Sequence, residues 1–271
     1  YGLENLPRAF VVTIISYDAL RLMGSESNAS YMLAFAAIGS LLVTLNSGRL
    51  IRLMSRKWVF TLAVVGLGMA GVLTMWGDPW LFTLGLFFRN AGAGLTLVIL
   101  SLYVLDFVPQ KDLVQAESRR MFFAGAVWLL APTAGVFVWN AFGPAIAYLM
   151  TVPAAGLLLA VFWALRLREA DNVDAEPTKA RVNTREAMRR YFNDPNLTIA
   201  YFIAVSRSVF YVSIFTYVPM YVVSAGLDEA LGGYFISAST LVLFAGPFLT
   251  RFVPMVGVRR LIMCSFFIAA F

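Results

Sequence analysis

A series of apolar stretches, each about 20 residues long, constrains this chain more than any other feature of its sequence. A helix of that length crosses about 30 Å of hydrocarbon. Apolar residues make up 60% of the chain and charged residues 13%, more apolar surface than a soluble domain can bury. The pattern predicts an all-α integral membrane protein. Its clearest spans cover about 58–75, 81–105, 121–139, 144–165, 196–223 and 231–252.

Three further stretches complete the count of predicted spans. Residues 32–48 form a more polar span, and a new apolar run begins at Leu261. Residues 1–22 carry three charges that hydropathy penalises. We retain this segment as the first span because the loop charges require it, which gives about eight spans plus the start of a ninth. The three charges are Glu4, Arg8 and Asp18.

The distribution of basic residues predicts the orientation, because cytoplasmic loops collect Lys and Arg. If the first span runs outward, loops 49–57, 107–120 and 167–195 hold most of the basic residues and are predicted to be cytoplasmic. The alternate loops carry acidic residues and no Lys or Arg, apart from Arg21 at a helix end. We therefore expect a multi-pass protein of the cytoplasmic-type cell membrane. The acidic residues are Glu26, Asp78, Asp228 and Glu229.

Several function classes lose support from the composition. The chain has no histidine and one cysteine, Cys264, so no Cys/His metal cluster, disulfide framework or histidine acid–base chemistry can be argued. The net charge of +6 reflects membrane orientation and not nucleic-acid binding. We expect no metal, no cofactor and no enzymatic activity.

The chain divides at one long polar stretch. Residues 1–166 are predicted to form an N-terminal half of six helices whose first helix lacks its start. Residues 167–195 form a cytoplasmic linker, and 196–271 begin a second half with helices seven, eight and part of nine. We expect a fragment, since the chain starts without methionine and ends inside an apolar run. Asp194 and Pro195 are predicted to start the seventh helix as cap and first-turn proline.

Two segments about 200 residues apart resemble each other. Ser16-Tyr17 ends the first span as Thr216-Tyr217 ends the seventh, and Arg8 falls one position from Arg207 in that alignment. Two parallel six-helix halves are a known transporter plan.

With these features the chain resembles the major facilitator superfamily over essentially its whole length. The family's loop between helices two and three reads Gly-x-Leu-Ala-Asp-Arg-x-Gly-Arg-Lys. Here Gly48, Leu50 and the Arg56-Lys57 pair match, while Arg52 occupies the aspartate position and Ser55 the second glycine position. Asp106, at the cytoplasmic end of span four, could pair with a basic residue of this loop.

Two weaker motifs support the resemblance. Span four contains Arg89-Asn90-Ala91-Gly92-Ala93-Gly94, similar to the family's Arg-x-x-Gln-Gly-x-Gly. Span five contains Ala131-Pro132-Thr133-Ala134-Gly135, which resembles the antiporter signature Gly-Pro-x-x-Gly. The resemblance implies a 6+6 helical bundle, and the antiporter motif gives Pro132 and Gly135 a conformational role.

Charged residues in mid-membrane usually face a bundle interior or a water-filled cavity. Glu4 and Arg8 are four residues apart on one helical face and can pair directly. A structural ion pair and a protonatable carboxylate both remain open for Glu4. For Arg89 the resemblance implies assistance in proton transfer near helix one, and a helix-packing arginine is the alternative.

Two other pairs of polar residues have different predicted roles. Arg207, with Tyr211 one turn on, forms a polar face that suits an anionic substrate group or contacts between helices. Asp18 and Arg21, three residues apart, are predicted to pair at the membrane interface and are not candidate site residues.

These observations predict a secondary transporter that moves a small organic solute by alternating access, with proton-coupled efflux as the expected mode. A metabolite uptake carrier of the same fold and a non-transporting membrane sensor or assembly protein remain alternatives. The expected partners are the lipid bilayer, a small-molecule substrate and protons, and we expect a monomer.

Overall fold

The computed structural model describes residues 2–166, 189, 191–245, 255–257, 260 and 263–264. Within these residues every regular element is helical. The linker predicted at 167–195 lies mostly outside the described residues, as do the end of the predicted eighth span and most of the ninth.

The first predicted span consists of two helices. Helix α1 covers Gly2–Ala9 and α2 covers Val12–Met23, with a break at Phe10 and Val11 where the backbone leaves helical geometry. The sequence pattern predicted one segment here and did not locate the break. The break exposes carbonyl groups that need partners inside a membrane.

The remaining helices follow the predicted order of apolar stretches. Within the described ranges, six of the resulting segments are long and apolar enough to cross a membrane. The second span begins at residue 26, where Ser25 caps its N-terminus by accepting a hydrogen bond from the Asn28 amide at 3.2 Å. The helices are α3 (Glu26–Leu45), α4 (Ser47–Thr74), α5 (Pro79–Phe107), α6 (Leu113–Phe142), α7 (Pro144–Leu149), α8 (Thr151–Arg166), α9 (Pro195–Ser224) and α10 (Ala230–Ser239).

Local capping residues fix the starts of two helices. Asp194 accepts a hydrogen bond from the Asn196 amide at 2.9 Å, and Pro195 occupies the first turn of α9, so that prediction is confirmed. Asp78 caps α5 in the same way ahead of Pro79. Three boundaries differ. The second span covers 26–45 and not 32–48. The predicted loop 49–57 is helical as part of α4, except at Ser55, and residues 113–120 of the predicted loop 107–120 belong to α6.

The helices alternate in direction, so their connections lie at two ends of the bundle. The basic end carries the ion pair between Arg56 and Asp106. The acidic end carries Glu26, Asp78, Asp228 and Glu229. One buried apolar cluster lies among α2, α3, α5, α6 and α7 and includes Met220 of α9. A second lies among α4, α5 and α8.

Candidate functional site

The break in the first span forms the centre of the candidate site. Nη2 of Arg89 in α5 donates a hydrogen bond to the carbonyl oxygen of Arg8 at 2.8 Å. Because the helix is interrupted two residues later, a carbonyl near the break is available to a donor from another helix. Broken helices occur at membrane depth where their freed groups find such partners.

Glu4 and Arg8 form the ion pair that their spacing predicts. Nη1 of Arg8 lies 3.1 Å from Oε1 of Glu4. Glu4 is buried, with 1% of its surface exposed, while 25% of the Arg8 side chain is exposed. A buried carboxylate is costly unless it is paired or protonated. The Arg8 guanidinium therefore offsets part of the cost of burying Glu4.

Arg89 adds a third residue to this pair, forming a cluster, through its hydrogen bond to the Arg8 carbonyl. Its Nη1 donates to Oδ1 of Asn90 at 3.3 Å. Its Nε group is buried without a hydrogen-bond partner among the described residues. Arg89 also lines a cavity about the size of one water molecule, together with Pro7 and Tyr148. The guanidinium thus has one donor free to bind a small polar group.

Arg207 and Tyr211 do not join this cluster. Arg207 is exposed on α9, so the structure does not bring it to Glu4. Tyr211 stacks on Phe215 with ring centroids 5.9 Å apart, and Phe215 stacks on Trp128 at 5.3 Å. Nε1 of Trp128 then donates to Oδ1 of Asn5 at 3.0 Å. An aromatic row therefore links the seventh span to the first.

Sequence reasoning missed Asn5, Trp128 and Phe215. Asn5 follows Glu4 directly, and a polar amide within an apolar span was the available signal. The two aromatic residues gave none, because apolar spans contain many such residues.

The predicted pair of Asp18 and Arg21 is wrong. Asp18 is 8% exposed and accepts hydrogen bonds from the Tyr148 hydroxyl at 2.8 Å and the Trp139 indole at 3.2 Å. Arg21 instead pairs with Glu229 at 3.3 Å. The spacing would permit the predicted pair, but Asp18 lies inside the bundle and Arg21 at its acidic end, where each finds a tertiary partner.

Comparison with known proteins decides the family. A profile of the Major Facilitator Superfamily matches residues 3–271. The chain belongs to the Major Facilitator Superfamily. It is similar to the "Staphylopine export protein" of Staphylococcus aureus (strain Mu50 / ATCC 700699), with 25% identity over 186 residues. That alignment covers 64% of this chain and 46% of the relative, so the chain matches about half of the relative's length. No solved structure gives a significant match.

Membership of the Major Facilitator Superfamily confirms the predicted fold class, an all-α integral membrane bundle, and the recognition of the family. The chain is accordingly a multi-pass membrane protein of this family. No cluster of three or more metal-ligating side chains occurs in the part of the chain that the structure describes.

Ser55, within the superfamily loop motif, interrupts the helical geometry of α4. This residue has φ 60° and ψ 158°, a backbone conformation that favours glycine, and it occupies the motif's second glycine position. Arg56 forms an ion pair with Asp106, as the sequence allowed. Gly48 and Arg52 are exposed and Lys57 is half-buried. The Arg56–Asp106 pair thus connects α4 to α5 at the basic end.

The antiporter-like motif of this superfamily member lies against the break in the first span. Gly135 of α6 is so close to Phe10 that a Cβ atom there would overlap the Phe10 carbonyl oxygen. Pro132 lies inside the same helix and removes one of its backbone hydrogen bonds. The motif therefore lets the fifth span approach the broken first span closely.

Proposed function

We propose that this protein exports a small organic solute by alternating access, driven by protons, and that Glu4 is the carboxylate that binds the coupling proton. The observation that carries the proposal is the Glu4–Arg8 ion pair, buried at Glu4, beside the Arg89 guanidinium. Removing one partner of a buried ion pair is costly because the other charge is left unpaired. In this proposal, movement of Arg8 away from Glu4 favours protonation of Glu4, and protonation of Glu4 in turn releases Arg8.

The substrate path lies between the helices of residues 1–166 and those of residues 196–271. The row of Tyr211, Phe215 and Trp128 joins α9 to α6, and Asn5 adds an amide from α1. Stacked aromatic faces with a few polar groups suit a small organic solute. Arg207, exposed on α9, is positioned to attract an anionic group of such a solute.

Export is favoured by the name of the staphylococcal relative, which describes an export protein, and by the antiporter-like motif at Pro132 and Gly135. In this proposal the protein lies in the cell membrane as a monomer, with loops 49–57, 107–120 and 167–195 in the cytoplasm. Residues 1–166 then form the first half, 167–195 the linker and 196–271 the start of the second half.

The test is proton-linked flux in everted vesicles that contain the protein expressed from its complete coding sequence. The native protein is compared with Glu4→Gln over a panel of lipophilic cations and small metabolites. We expect a flux that dissipates the proton gradient in the native protein and its loss in Glu4→Gln.

Glu117→Gln is the matched control, because Glu117 also pairs with an arginine on its own helix, Arg120 at 3.0 Å, but is 44% exposed. This variant should keep native flux. Intact coupling in Glu4→Gln would assign Glu4 a structural role. Flux without proton movement, directed into the cytoplasm, would instead support the uptake carrier.

A further inference from the structure

Asp18 is a second buried carboxylate in the first span, and the proposed function does not use it. Its Oδ2 atom accepts hydrogen bonds from Tyr148 and Trp139, which belong to the sixth and fifth spans. Asp18 forms no ion pair among the described residues. A buried carboxylate whose partners are all neutral donors is strongly stabilised by a nearby cation or by binding a proton.

Arg21 is the nearest candidate cation. It lies three residues after Asp18 on the same helix, a spacing that allows side-chain contact. Its guanidinium lies 4.5 Å from the centre of the Trp139 ring, whose N–H group holds Asp18. In this structure Arg21 pairs instead with Glu229, at 3.3 Å. The loops at the acidic end carry no other Lys or Arg, so two carboxylates share one cation.

Glu229 belongs to the segment that closes the acidic end against the first span. Its carbonyl oxygen accepts a hydrogen bond from the Tyr17 hydroxyl at 2.5 Å. Nearby, the Ser16 hydroxyl donates to the Phe215 carbonyl at 3.3 Å, and Met220 is 1% exposed. The first part of α9, around Arg207, is exposed. The seventh span thus meets the first span at the acidic end.

We propose that Arg21 exchanges between Glu229 and Asp18, and that protonation of Asp18 closes the acidic end. While Asp18 is charged, it competes for Arg21 and weakens the Arg21–Glu229 pair, which favours opening. Once Asp18 binds a proton, it no longer competes for Arg21. Arg21 then stays paired with Glu229, and the first and seventh spans close together at the acidic end. For its place in a transport cycle this exchange rests on the proposed proton-coupled export.

The titratable and charged groups around Asp18 are few. Its own helix contributes Tyr17 and Arg21, and the sixth span contributes Tyr148. The segment before α10 contributes Glu229, and the fifth span contributes Trp139, which does not titrate. Arg89 of α5 acts on Tyr148. Among these groups Arg21 is the cation that both carboxylates can reach.

The test measures how accessible the acidic end is from outside intact cells. The protein is expressed from its complete coding sequence with Cys264→Ser, any other cysteines replaced, and Met220→Cys as reporter. A membrane-impermeant maleimide labels the thiol at a series of external pH values. Rates are divided by those of a Trp80→Cys reporter, since Trp80 is 82% exposed at the same end. This ratio removes the reagent's own pH dependence.

The native protein should show a ratio that rises about fivefold from acidic to alkaline pH, a coupling of ordinary size. Asp18→Asn should give a low ratio at every pH, and Glu229→Gln a high one. Asp228→Asn is the matched control for Glu229→Gln, because Asp228 accepts a hydrogen bond from the Ala230 amide that asparagine can also accept. It should keep the native profile.

A native pH profile in Asp18→Asn would overturn the exchange. If Asp18→Asn does not reach the membrane, Arg21→Gln is the deciding variant. Its side chain is half-exposed, so no buried packing is lost, and loss of the shared cation must abolish the pH dependence. Flux in the same cells separates the two proposals. A lost labelling profile with intact proton-linked flux rejects the exchange alone. An intact labelling profile without proton-linked flux rejects proton-coupled export but still supports the exchange of Arg21.

Discussion

Arg89 donates its Nη2 hydrogen to the carbonyl oxygen of Arg8, 2.8 Å away and 81 positions earlier in the chain. This bond joins the fourth span to the break in the first and places a second arginine beside the Glu4–Arg8 pair. The guanidinium of Arg89 is thus fixed to the backbone of the residue whose side chain pairs with Glu4. Any movement of α1 relative to α5 must therefore stretch or break this bond.

Arg89→Lys should lower proton-linked flux about tenfold, because a hydrogen bond to a charged donor contributes about 1.5–3 kcal/mol. Lysine keeps the charge but lacks the planar fork that reaches the Arg8 carbonyl and Asn90 together. The measurement is vesicle flux normalised to protein content. Arg119→Lys, at an exposed position of the basic end, is the control and should keep native flux. Equal losses in both variants would contradict a specific role for Arg89.

Gly135→Ala should lower the free energy of unfolding by about 1–3 kcal/mol, since the added methyl group overlaps the Phe10 carbonyl and the backbone must shift. Thermal unfolding of the purified protein in detergent measures the change. Gly156→Ala is the control, because a Cβ atom there meets no neighbour within 4 Å. In a helix that change should be neutral or stabilise by up to about 1 kcal/mol. A neutral Gly135→Ala would mean that α6 does not approach the break so closely.

Ser55→Gly should stabilise the protein by about 1 kcal/mol, because Ser55 occupies a backbone conformation at φ 60° that costs a non-glycine residue about 1–3 kcal/mol. Some of that gain is offset by the larger entropy of the unfolded chain. The measurement is again thermal unfolding in detergent. Ser118→Gly, inside α6, should instead destabilise by about 0.5–1 kcal/mol. Destabilisation by both changes would show that Ser55 is not strained.

Charge reversal at Arg56 and Asp106 should impair transport, and the double exchange should restore it. The two side chains are 34% and 48% exposed, so their pair contributes about 0–1 kcal/mol to folding. We therefore expect Arg56→Asp and Asp106→Arg each to slow flux several-fold by changing how α4 and α5 meet, while the unfolding temperature changes little. Flux of the combined variant is the deciding measurement. Failure of the double exchange to recover would show that the two residues act independently.

The sequence alone determined the order and approximate bounds of the spans that the structure describes, because length and hydropathy are local properties of the chain. It also predicted the Glu4–Arg8 pair, since residues four apart on one helix are neighbours whatever surrounds them. The cap at Asp194 followed from the same local chemistry. The break at Phe10 and Val11 left no such signal, as no glycine marks it and Pro7 precedes it by a turn.

Only the tertiary structure decided which distant groups meet. Asp18 and Arg21 have the spacing of a pair, yet Tyr148 and Trp139 bind the first and Glu229 the second. The separation of Arg207 from the Glu4 cluster was equally invisible in the sequence. These contacts depend on how whole helices pack and rotate against one another. Periodicity shows that a helix has a polar residue, but the partner is supplied by another span more than 100 residues away in the case of Asp18.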